Sequence, residues 1–367
     1  MSIAKQSSSA EPKKRLSRAE RKRRRREITQ TQWAREQDAV QTDVELDDRT
    51  EAFQQHGGFS MAWSTVVQPL LSHFGDREGY IAHRTRWGQT IALGDPVCSP
   101  NRMESLLSDF VQTHRKPSFV QISKDTAELL SQHNYRINEI GLDTKIDLAE
   151  YDFNGKHKEW LRYADNWTSR RGFEVRECSF DEVSDKEIEA ISEAWRKTRT
   201  VKQKEVRFLN RPIVLQDEPN VRKFFLFDAN QKIVAFVFLD PLYRNGSIFG
   251  YVTSIKRRLP DAPIYGEQAI MKRIIEQLKS EGVSELKLGL SPCASIAASG
   301  YAEVRWMRKL FQWAYGSAMV NRRAYNLVGH AKYKRRFRGQ EEIVYLASPP
   351  GIHPRRIPAL IAMCGIA

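Results

Sequence analysis

Cysteine is scarce in this chain of 367 residues, and long apolar runs are absent. The four cysteines, Cys98, Cys178, Cys293 and Cys364, lie far apart without a CxxC motif, which argues against a disulfide scaffold and indicates reduced thiols. No apolar segment approaches the ~18–20 residues that a membrane span requires, and the N-terminus has no apolar signal core. We therefore expect a cytoplasmic protein without a transmembrane segment.

Motifs of several enzyme classes are also missing. The eight histidines are scattered, with no HxxxH spacing and no Cys/His cluster, so we predict no metal site. Neither the Gly-x-Ser-x-Gly motif of hydrolases nor the Walker motif of nucleotide-binding loops occurs. The sequence therefore gives little support to metal-dependent, serine-hydrolase or P-loop chemistry.

Positive charge is in excess, but it is unevenly distributed. The formal net charge is +14. Residues 1–35 hold twelve Lys or Arg against three Glu, and residues 321–340 hold seven Lys or Arg without any acidic residue. The remainder is close to neutral. Two separate basic regions favour a polyanionic partner, such as nucleic acid or an anionic membrane surface.

The first basic region is predicted to form a partly disordered N-terminal arm over residues 1–50. A helix over 17–40 would have no apolar stripe to bury, because residues 21–26 are all Arg or Lys. Two interpretations stay open for this arm. It is either a solubilising tail or a segment that attracts RNA or a membrane.

Two α/β units are predicted after the arm, over residues 51–150 and 151–367. The first unit begins with a helix over 61–74. In the second, Asn245-Gly246 between two apolar runs is a strong hairpin signal. The other elements predicted there are a helix over 181–199, strands over 223–227, 233–239, 247–254 and 285–290, a helix over 266–280, an amphipathic helix over 303–318 carrying Trp306, Leu310 and Trp313, and a strand over 343–346.

An antiparallel hairpin that leads into a helix and then another strand resembles the core of a Gcn5-related N-acetyltransferase (GNAT). Because this order occurs twice, we predict an α/β (α+β) fold of tandem GNAT-like units with mixed central sheets. A GNAT enzyme binds acyl-CoA on the backbone N–H groups of a glycine-rich turn. The corresponding segment, residues 257–267, has one glycine and two prolines, so we expect no coenzyme.

The second basic region has aromatic residues among its cations. Over residues 322–338, Tyr325, Tyr333 and Phe337 alternate with seven Lys or Arg. A helix over 329–338 would place Tyr333 and Phe337 on one face. This composition suits a phosphodiester, because cations bind phosphate and aromatic rings stack on bases or cover lipid. The alternative is a solvated basic helix anchored by core aromatics.

The chain from about residue 93 to 348 resembles the catalytic (C-terminal) domain of bacterial phosphatidylglycerol lysyl- and alanyltransferases. The resemblance rests on an ordered set of short pieces, namely Gly94-Asp95-Pro96-Val97, Ile146-Asp147-Leu148, Leu161-Arg162 with Asn166, Leu288-Gly289-Leu290-Ser291-Pro292, Tyr325-Asn326 and Tyr333-Lys334. It implies a tandem GNAT fold and transfer of an amino acid from aminoacyl-tRNA to a hydroxyl of phosphatidylglycerol. The implied partners are aminoacyl-tRNA and an anionic lipid surface at the inner face of the membrane.

One departure from the family pattern leaves the transferred amino acid open. Members usually follow the strand that here ends at Ser254 with an acidic residue, whereas this chain continues with Ile255 and Lys256. We place the reacting centre where the second hairpin splays, near the candidate catalytic residues Asp240 and Ser254. Glu267 would replace the lost carboxylate by pairing with the α-amine of the aminoacyl group.

Substrate-binding roles are assigned to seven further residues, namely Arg162, Asn166, Arg258, Tyr325, Tyr333, Lys334 and Arg336. Arg258 would face a donor or acceptor phosphate, and Lys334 with Arg336 would bind the tRNA end or a lipid phosphate. Arg162 and Asn166 match the family motif, and a structural ion pair at a helix start is an equal alternative. Asp240 has an alternative as well, as a turn residue before Pro241.

Three functional hypotheses follow. The first is an aminoacyl-tRNA-dependent transferase that acts on phosphatidylglycerol or a related anionic lipid. The second keeps that donor but has a soluble small-molecule or peptide acceptor. The third is a non-catalytic RNA-binding protein on a degenerate GNAT scaffold.

Overall fold

The computed structural model describes residues 43–198, 206–351 and 355–365. The arm helix predicted over residues 17–40 lies outside these ranges. The described helices are α1 (Leu46–His56), α2 (Ala62–Val67), α3 (Pro100–Thr113), α4 (Lys124–Gln132), α5 (Glu159–Ser169), α6 (Asp185–Lys197), α7 (Gly266–Ser280), α8 (Arg305–Gly316), α9 (Ala318–Arg323), α10 (Leu327–Arg335) and α11 (Arg356–Met363).

Twelve strands of the described residues form one mixed sheet. They are β1 (Ser72–Asp76), β2 (Gly79–Arg86), β3 (Gln89–Leu93), β4 (Val97–Cys98), β5 (Ser118–Ile122), β6 (Arg136–Asp147), β7 (Glu174–Glu177), β8 (Arg222–Phe227), β9 (Ile233–Arg244), β10 (Ser247–Arg258), β11 (Glu285–Pro292) and β12 (Gln340–Ser348). The order across the sheet is β1-β2-β3-β5-β12-β6-β11-β10-β9-β8-β7, with β4 paired to β2.

The same order of elements occurs in both halves of this sheet. Antiparallel β2 and β3 lead through α3 to β5, which is parallel to β3. Antiparallel β9 and β10 lead through α7 to β11, which is parallel to β10. This repetition confirms the predicted α/β class with mixed, GNAT-like units. The proposed boundary at residue 150 falls just after β6 and stays a prediction, while β12 returns to pair with β5 and β6.

Local sequence explains the best-predicted elements. Asn245 and Gly246 adopt φ values of 50° and 76°, the left-handed conformation that a two-residue hairpin turn needs, and Arg244 pairs with Ser247. Helix α7 has the predicted bounds, because the apolar residues that recur along it pack onto β8 and β9. Five of them are fully buried, namely Ile270, Met271, Ile274, Ile275 and Leu278.

The helix predicted over residues 61–74 is shorter than expected. It ends at Val67, and β1 begins at Ser72. The cause is Pro69, which disfavours helical geometry at the residue before it, so Gln68 is extended with ψ 124°. The apolar spacing alone could not show this break.

Two apolar clusters cover opposite faces of the second half of the sheet. Val237 and Leu239 of β9 pack in the cluster that contains the buried residues of α7. Phe236 and Phe238 pack in a second cluster with Ile188 of α6. Because successive side chains of a strand point to opposite faces, this alternation fixes which side each polar residue of β9 occupies.

Candidate active site

Strands β10 and β11 pair over only three residues each, in the first half of each strand. Their parallel register runs from Gly250–Glu285 to Val252–Lys287, while β11 continues along β6 with an irregularity before Leu290. Hairpin β9–β10 stays paired from Arg244–Ser247 to Ala235–Arg258. The expectation that the hairpin splays is therefore wrong. The break in backbone pairing lies on the other side of β10, after Val252 and Lys287, where Thr253 Oγ1 donates a hydrogen bond to the main-chain oxygen of Leu288 (3.1 Å). We call this place the β10–β11 gap.

Helix α10 extends a buried lysine into this gap. Asn326 caps the helix by accepting a hydrogen bond from the N–H of Gly329. Lys334 is only 2% exposed, and its Nζ donates hydrogen bonds to the main-chain oxygens of Gly289 (2.5 Å) and Leu290 (2.9 Å). A contact of Lys334 with an external phosphate stays a prediction. Its amino group donates hydrogen bonds inside the protein.

The environment of Lys334 favours the neutral amine. Burial, and then the positive charge of Lys256, lower the pKa of Lys334 to about 7, although Asp143 and Glu267 oppose the shift. A neutral amine has two N–H groups, and the two main-chain oxygens match them. Its lone pair is left to accept a proton, so Lys334 has the chemistry of a general base near neutral pH.

Three further titratable groups surround the gap. Lys256 Nζ of β10 lies 3.7 Å from Glu267 Oε1 in the first turn of α7, and 5.2 Å from the ring centre of Tyr333 on α10. Burial lowers the pKa of Lys256, and Glu267 partly offsets this. Burial and the neighbouring Glu267 carboxylate raise the pKa of Tyr333, which keeps its hydroxyl protonated. Glu267 is therefore the acidic group of this cluster.

Asp240 and Ser254 are brought together, but they belong to a different cluster. Ser254 occupies a bulge of β10, and its Oγ donates a hydrogen bond to Asp240 Oδ1 (2.9 Å). Arg211 Nη1 lies 2.7 Å from the same oxygen, and its Nη2 contacts Glu218. Asp240 follows Phe238 by two residues, on the α6 side of the sheet. Asp240 is not a turn residue, because it lies inside β9 opposite Val252.

This second cluster has the features of a structural ion pair. The side chains of Arg211 and Asp240 are 2% and 3% exposed. Burial raises the pKa of Asp240 to about 6, and Arg211 opposes the shift. A carboxylate already held by a guanidinium and a hydroxyl has little capacity left to remove a proton from substrate. The catalytic roles of Asp240 and Ser254 stay predictions.

A family model described as phosphatidylglycerol lysyltransferase, C-terminal, matches residues 50–348. The chain belongs to this family. It is 26% identical over 215 residues to a phosphatidylglycerol lysyltransferase of Bacillus subtilis, which covers 57% of this chain and 24% of the relative. For a Staphylococcus epidermidis phosphatidylglycerol lysyltransferase the identity is 22% over 236 residues, covering 63% and 27%. The chain thus spans about a quarter of the length of these curated relatives.

Solved structures show that the family fold is shared. The structure of L-PGS from Bacillus licheniformis has a TM-score of 0.69 at 17% identity, and the match covers 89% of this chain and 99% of that one. The C-terminal domain of a putative lysylphosphatidylglycerol synthetase from Agrobacterium fabrum also has a TM-score of 0.69, at 20% identity, covering 87% and 94%. At these identities the likeness shows the fold alone.

Two residues that match the family motif lie on α5, and one of them has structural contacts. Arg162 donates hydrogen bonds to the main-chain oxygens of Phe153 and Gly155, the latter at 3.0 Å, and so holds the turn before the helix. The expected alternative of an ion pair is replaced by these carbonyl contacts. Asn166 is exposed on the same helix, and its substrate-binding role stays a prediction.

Three main-chain N–H groups of the loop between β10 and α7 donate hydrogen bonds within the protein. Leu259 N donates to Val234 O, Ala262 N to Leu259 O, and Gly266 N to Pro263 O. Arg258 is exposed, and its Nη1 also donates within the loop, to Ala262 O at 3.3 Å. A role for Arg258 in phosphate binding stays a prediction. The expectation that the protein uses no coenzyme stays a prediction as well.

The second basic region divides into buried and exposed parts. Tyr333 and Phe337 share a face, with ring centres 5.3 Å apart, as predicted. Tyr325 is 46% exposed, and its ring lies 5.7 Å from that of His330. Arg336 is exposed, with its guanidinium 4.0 Å from the ring centre of Trp160. Substrate contacts by Tyr325, Tyr333, Lys334 and Arg336 stay predictions.

Two charged residues of these clusters, Lys256 and Arg211, were not predicted from the sequence as site residues. Lys256 marks a departure from the family pattern, and that departure was the available signal for its place beside Glu267. Arg211 has no such signal, because its partner Asp240 is 29 positions away. Among the described residues, no three His, Cys, Asp or Glu side chains are arranged to hold a metal ion. None of the helices in the described ranges is long and apolar enough to span a membrane.

Proposed function

We propose that this chain is an aminoacyltransferase that moves an amino acid from aminoacyl-tRNA to a hydroxyl of phosphatidylglycerol or a related anionic lipid, at the inner face of the membrane. The observation that carries the proposal is the β10–β11 gap. It lies within the family match, and it holds a buried lysine whose pKa is about 7. A transfer from an activated ester needs reactants held in a reactive geometry and a group that accepts a proton.

The proposed step is an ester exchange. The lipid hydroxyl attacks the carbonyl carbon of the aminoacyl ester while Lys334, as the neutral amine, accepts its proton. The new carbon–oxygen bond to the lipid forms, and the bond to the tRNA ribose breaks. The proton passes from Lys334 to the leaving ribose oxygen, so atoms and charge balance. Two carbonyls fix the position of this amine, those of Gly289 and Leu290.

The donor's α-ammonium is assigned to Glu267. This carboxylate is 33% exposed and its ion pair with Lys256 is long, at 3.7 Å, so a second cation can approach it. Lys256 adds positive charge beside the gap, where a lipid or tRNA phosphate would be held. The family names support lysine as one candidate cargo, since the relatives are described as lysyltransferases.

The test uses purified protein, phosphatidylglycerol vesicles and each radiolabelled aminoacyl-tRNA in turn. We expect label from one amino acid to appear in the lipid extract. The Lys334→Met variant should lose this transfer, whereas Lys332→Met, an exposed lysine of the same helix, should retain it. Label that leaves tRNA for a soluble acceptor would replace the lipid proposal, and deacylation of no aminoacyl-tRNA would refute the enzyme.

A further inference from the structure

Helix α8 carries an exposed apolar stripe. Trp306, Leu310 and Trp313 recur at the spacing of one helix face, and they are 48%, 39% and 54% exposed. A neighbouring side of α8 faces the protein, since Met307 is buried and Phe311 packs against an apolar cluster. The helix therefore has two apolar faces, of which one is covered by this chain.

Exposed cations lie beside the stripe. On α8, Arg305 and Lys309 are both exposed, whereas Arg308 pairs with Glu303 at 3.0 Å. No Asp or Glu occurs from residue 304 to 340, so no carboxylate of this segment neutralises these charges. The combination of apolar and basic groups on one side of a helix is typical of a segment that lies on an anionic membrane surface.

The next helix, α9, also has exposed apolar and basic side chains. Helix α9 packs against α8, and its Met319 is 56% exposed. Its last turn carries Arg322 and Arg323, both exposed. We call these groups the α8–α9 surface, which comprises Trp306, Leu310, Trp313 and Met319 together with Arg305, Lys309, Arg322 and Arg323.

We propose that the α8–α9 surface docks on an anionic lipid bilayer, with α8 lying in the plane of the interface. Tryptophan favours this location because its ring is apolar and its N–H is polar. Leu310 and Met319 favour lipid over RNA, because neither side chain can stack on a base as an aromatic ring does. Arg305 and Lys309 match the negative headgroups.

The position of the surface connects docking with the proposed chemistry. Helix α8 contacts α10, which places Tyr333 and Lys334 beside the β10–β11 gap. A bilayer bound at α8 would therefore supply lipid on the side of the sheet where α10 lines the β10–β11 gap. That connection rests on the proposed function, whereas the docking itself does not.

Vesicle sedimentation tests the docking without donor or turnover. The full chain, with its basic arm, is mixed with vesicles of phosphatidylglycerol and phosphatidylcholine. We expect Trp306→Ala/Trp313→Ala to weaken binding about tenfold or more. Trp87→Ala is the matched control, because Trp87 is 55% exposed on the turn between β2 and β3 and is not part of the α8–α9 surface. This variant should bind vesicles as the unchanged chain does. Arg305→Gln/Lys309→Gln should lower binding by about fivefold per cation at low salt.

Unchanged vesicle binding by the folded Trp306/Trp313 variant, with circular dichroism to verify folding, would overturn the proposal. Loss of tRNA binding with retained vesicle binding would make the surface an RNA site and overturn it too. A dimer that becomes monomeric in the variant would identify an interface between copies, a third refuting result. Vesicle binding that needs the two tryptophans, in a protein that transfers no amino acid, would refute the proposed function and leave the docking intact.

Discussion

Lys334 Nζ lies 2.5 Å from the main-chain oxygen of Gly289, and this hydrogen bond joins α10 to β11 at the place where β11 leaves β10. Gly289 has a φ of 76°, the left-handed conformation that glycine tolerates best. The strand irregularity that opens the gap therefore also turns a carbonyl towards the lysine. The opening of the sheet and the position of its buried amine have one structural origin.

The first prediction concerns the pH dependence of transfer. Lys334 must be neutral to accept a proton, and its pKa is about 7. We therefore expect kcat/KM to fall about tenfold per pH unit below 7 and to level off above it. Lys334→Met should lower kcat/KM by a factor of about 10²–10⁴ and remove the fall below pH 7. Lys332→Met should keep both the rate and its pH dependence. A pH profile unchanged by Lys334→Met would exclude this lysine as the base.

The same lysine should make folding stability depend on pH. Its pKa is about 7 in the folded protein and 10.5 ordinarily, so between these values the unfolded chain binds the proton more readily. The free energy of unfolding should therefore rise with pH across this window, and its contribution is lost as the pH falls through 7. Urea denaturation at pH 6 and pH 9 measures the effect. The free energy of unfolding of the unchanged chain, relative to that of Lys334→Met, should be greater at pH 9 than at pH 6.

Gly289→Ala should affect both stability and transfer. The added methyl group forces an alanine to hold φ 76°, which costs about 1–2 kcal/mol, and it would lie 3.8 Å from Lys334 Nζ. Gly282→Ala is the matched control, because Gly282 has φ 78° and nothing within 4 Å of the added carbon. Both variants should lose similar stability in denaturant titrations, and only Gly289→Ala should lower turnover. Equal turnover in the two would separate Gly289 from the site.

Features that depend on neighbouring residues were predictable from the sequence, and features that depend on distant strand pairing were not. The hairpin at Asn245-Gly246 and helix α7 were predictable because turn geometry and apolar spacing are encoded within a few residues. The β10–β11 gap was not, since it depends on which strand β11 keeps as its partner. That choice is made by contacts with β6, more than a hundred positions earlier.

The pattern of charges in the sequence does not show which lysine is buried. Lys334 belongs to a basic run that predicts a solvated or phosphate-binding face, yet this residue is buried and donates hydrogen bonds to two main-chain oxygens. A helix that supplies many cations to solvent can still direct one of them inwards, because its period places that residue on the buried face. Only tertiary contacts show which residue that is.

The Arg211–Asp240 pair should govern stability. Arg211→Met leaves two buried carboxylates, Asp240 and Glu218, without their cation, so we expect a loss of about 3–5 kcal/mol in the free energy of unfolding. Adding Asp240→Asn should recover part of it. Lys197→Met, which breaks an exposed pair with Glu193, should cost about 0.3–0.5 kcal/mol. Asp240→Asn with full stability and no transfer would instead restore the catalytic role predicted from the sequence.

Recognition of the aminoacyl group should depend on Glu267. Glu267→Gln keeps the shape of the side chain but removes the charge that would pair with an α-ammonium, so affinity for an amino acid amide should fall about 10–100-fold. Glu276→Gln is the control, because Glu276 lies on the same helix and pairs with Lys272 outside the gap. The loss of Glu267 also leaves Lys256 without its nearest carboxylate, so the pKa of Lys256 should fall further. Calorimetric titration with amides of different amino acids measures the affinity and ranks the cargo. Equal affinity in the Glu267 and Glu276 variants would place the ammonium site elsewhere.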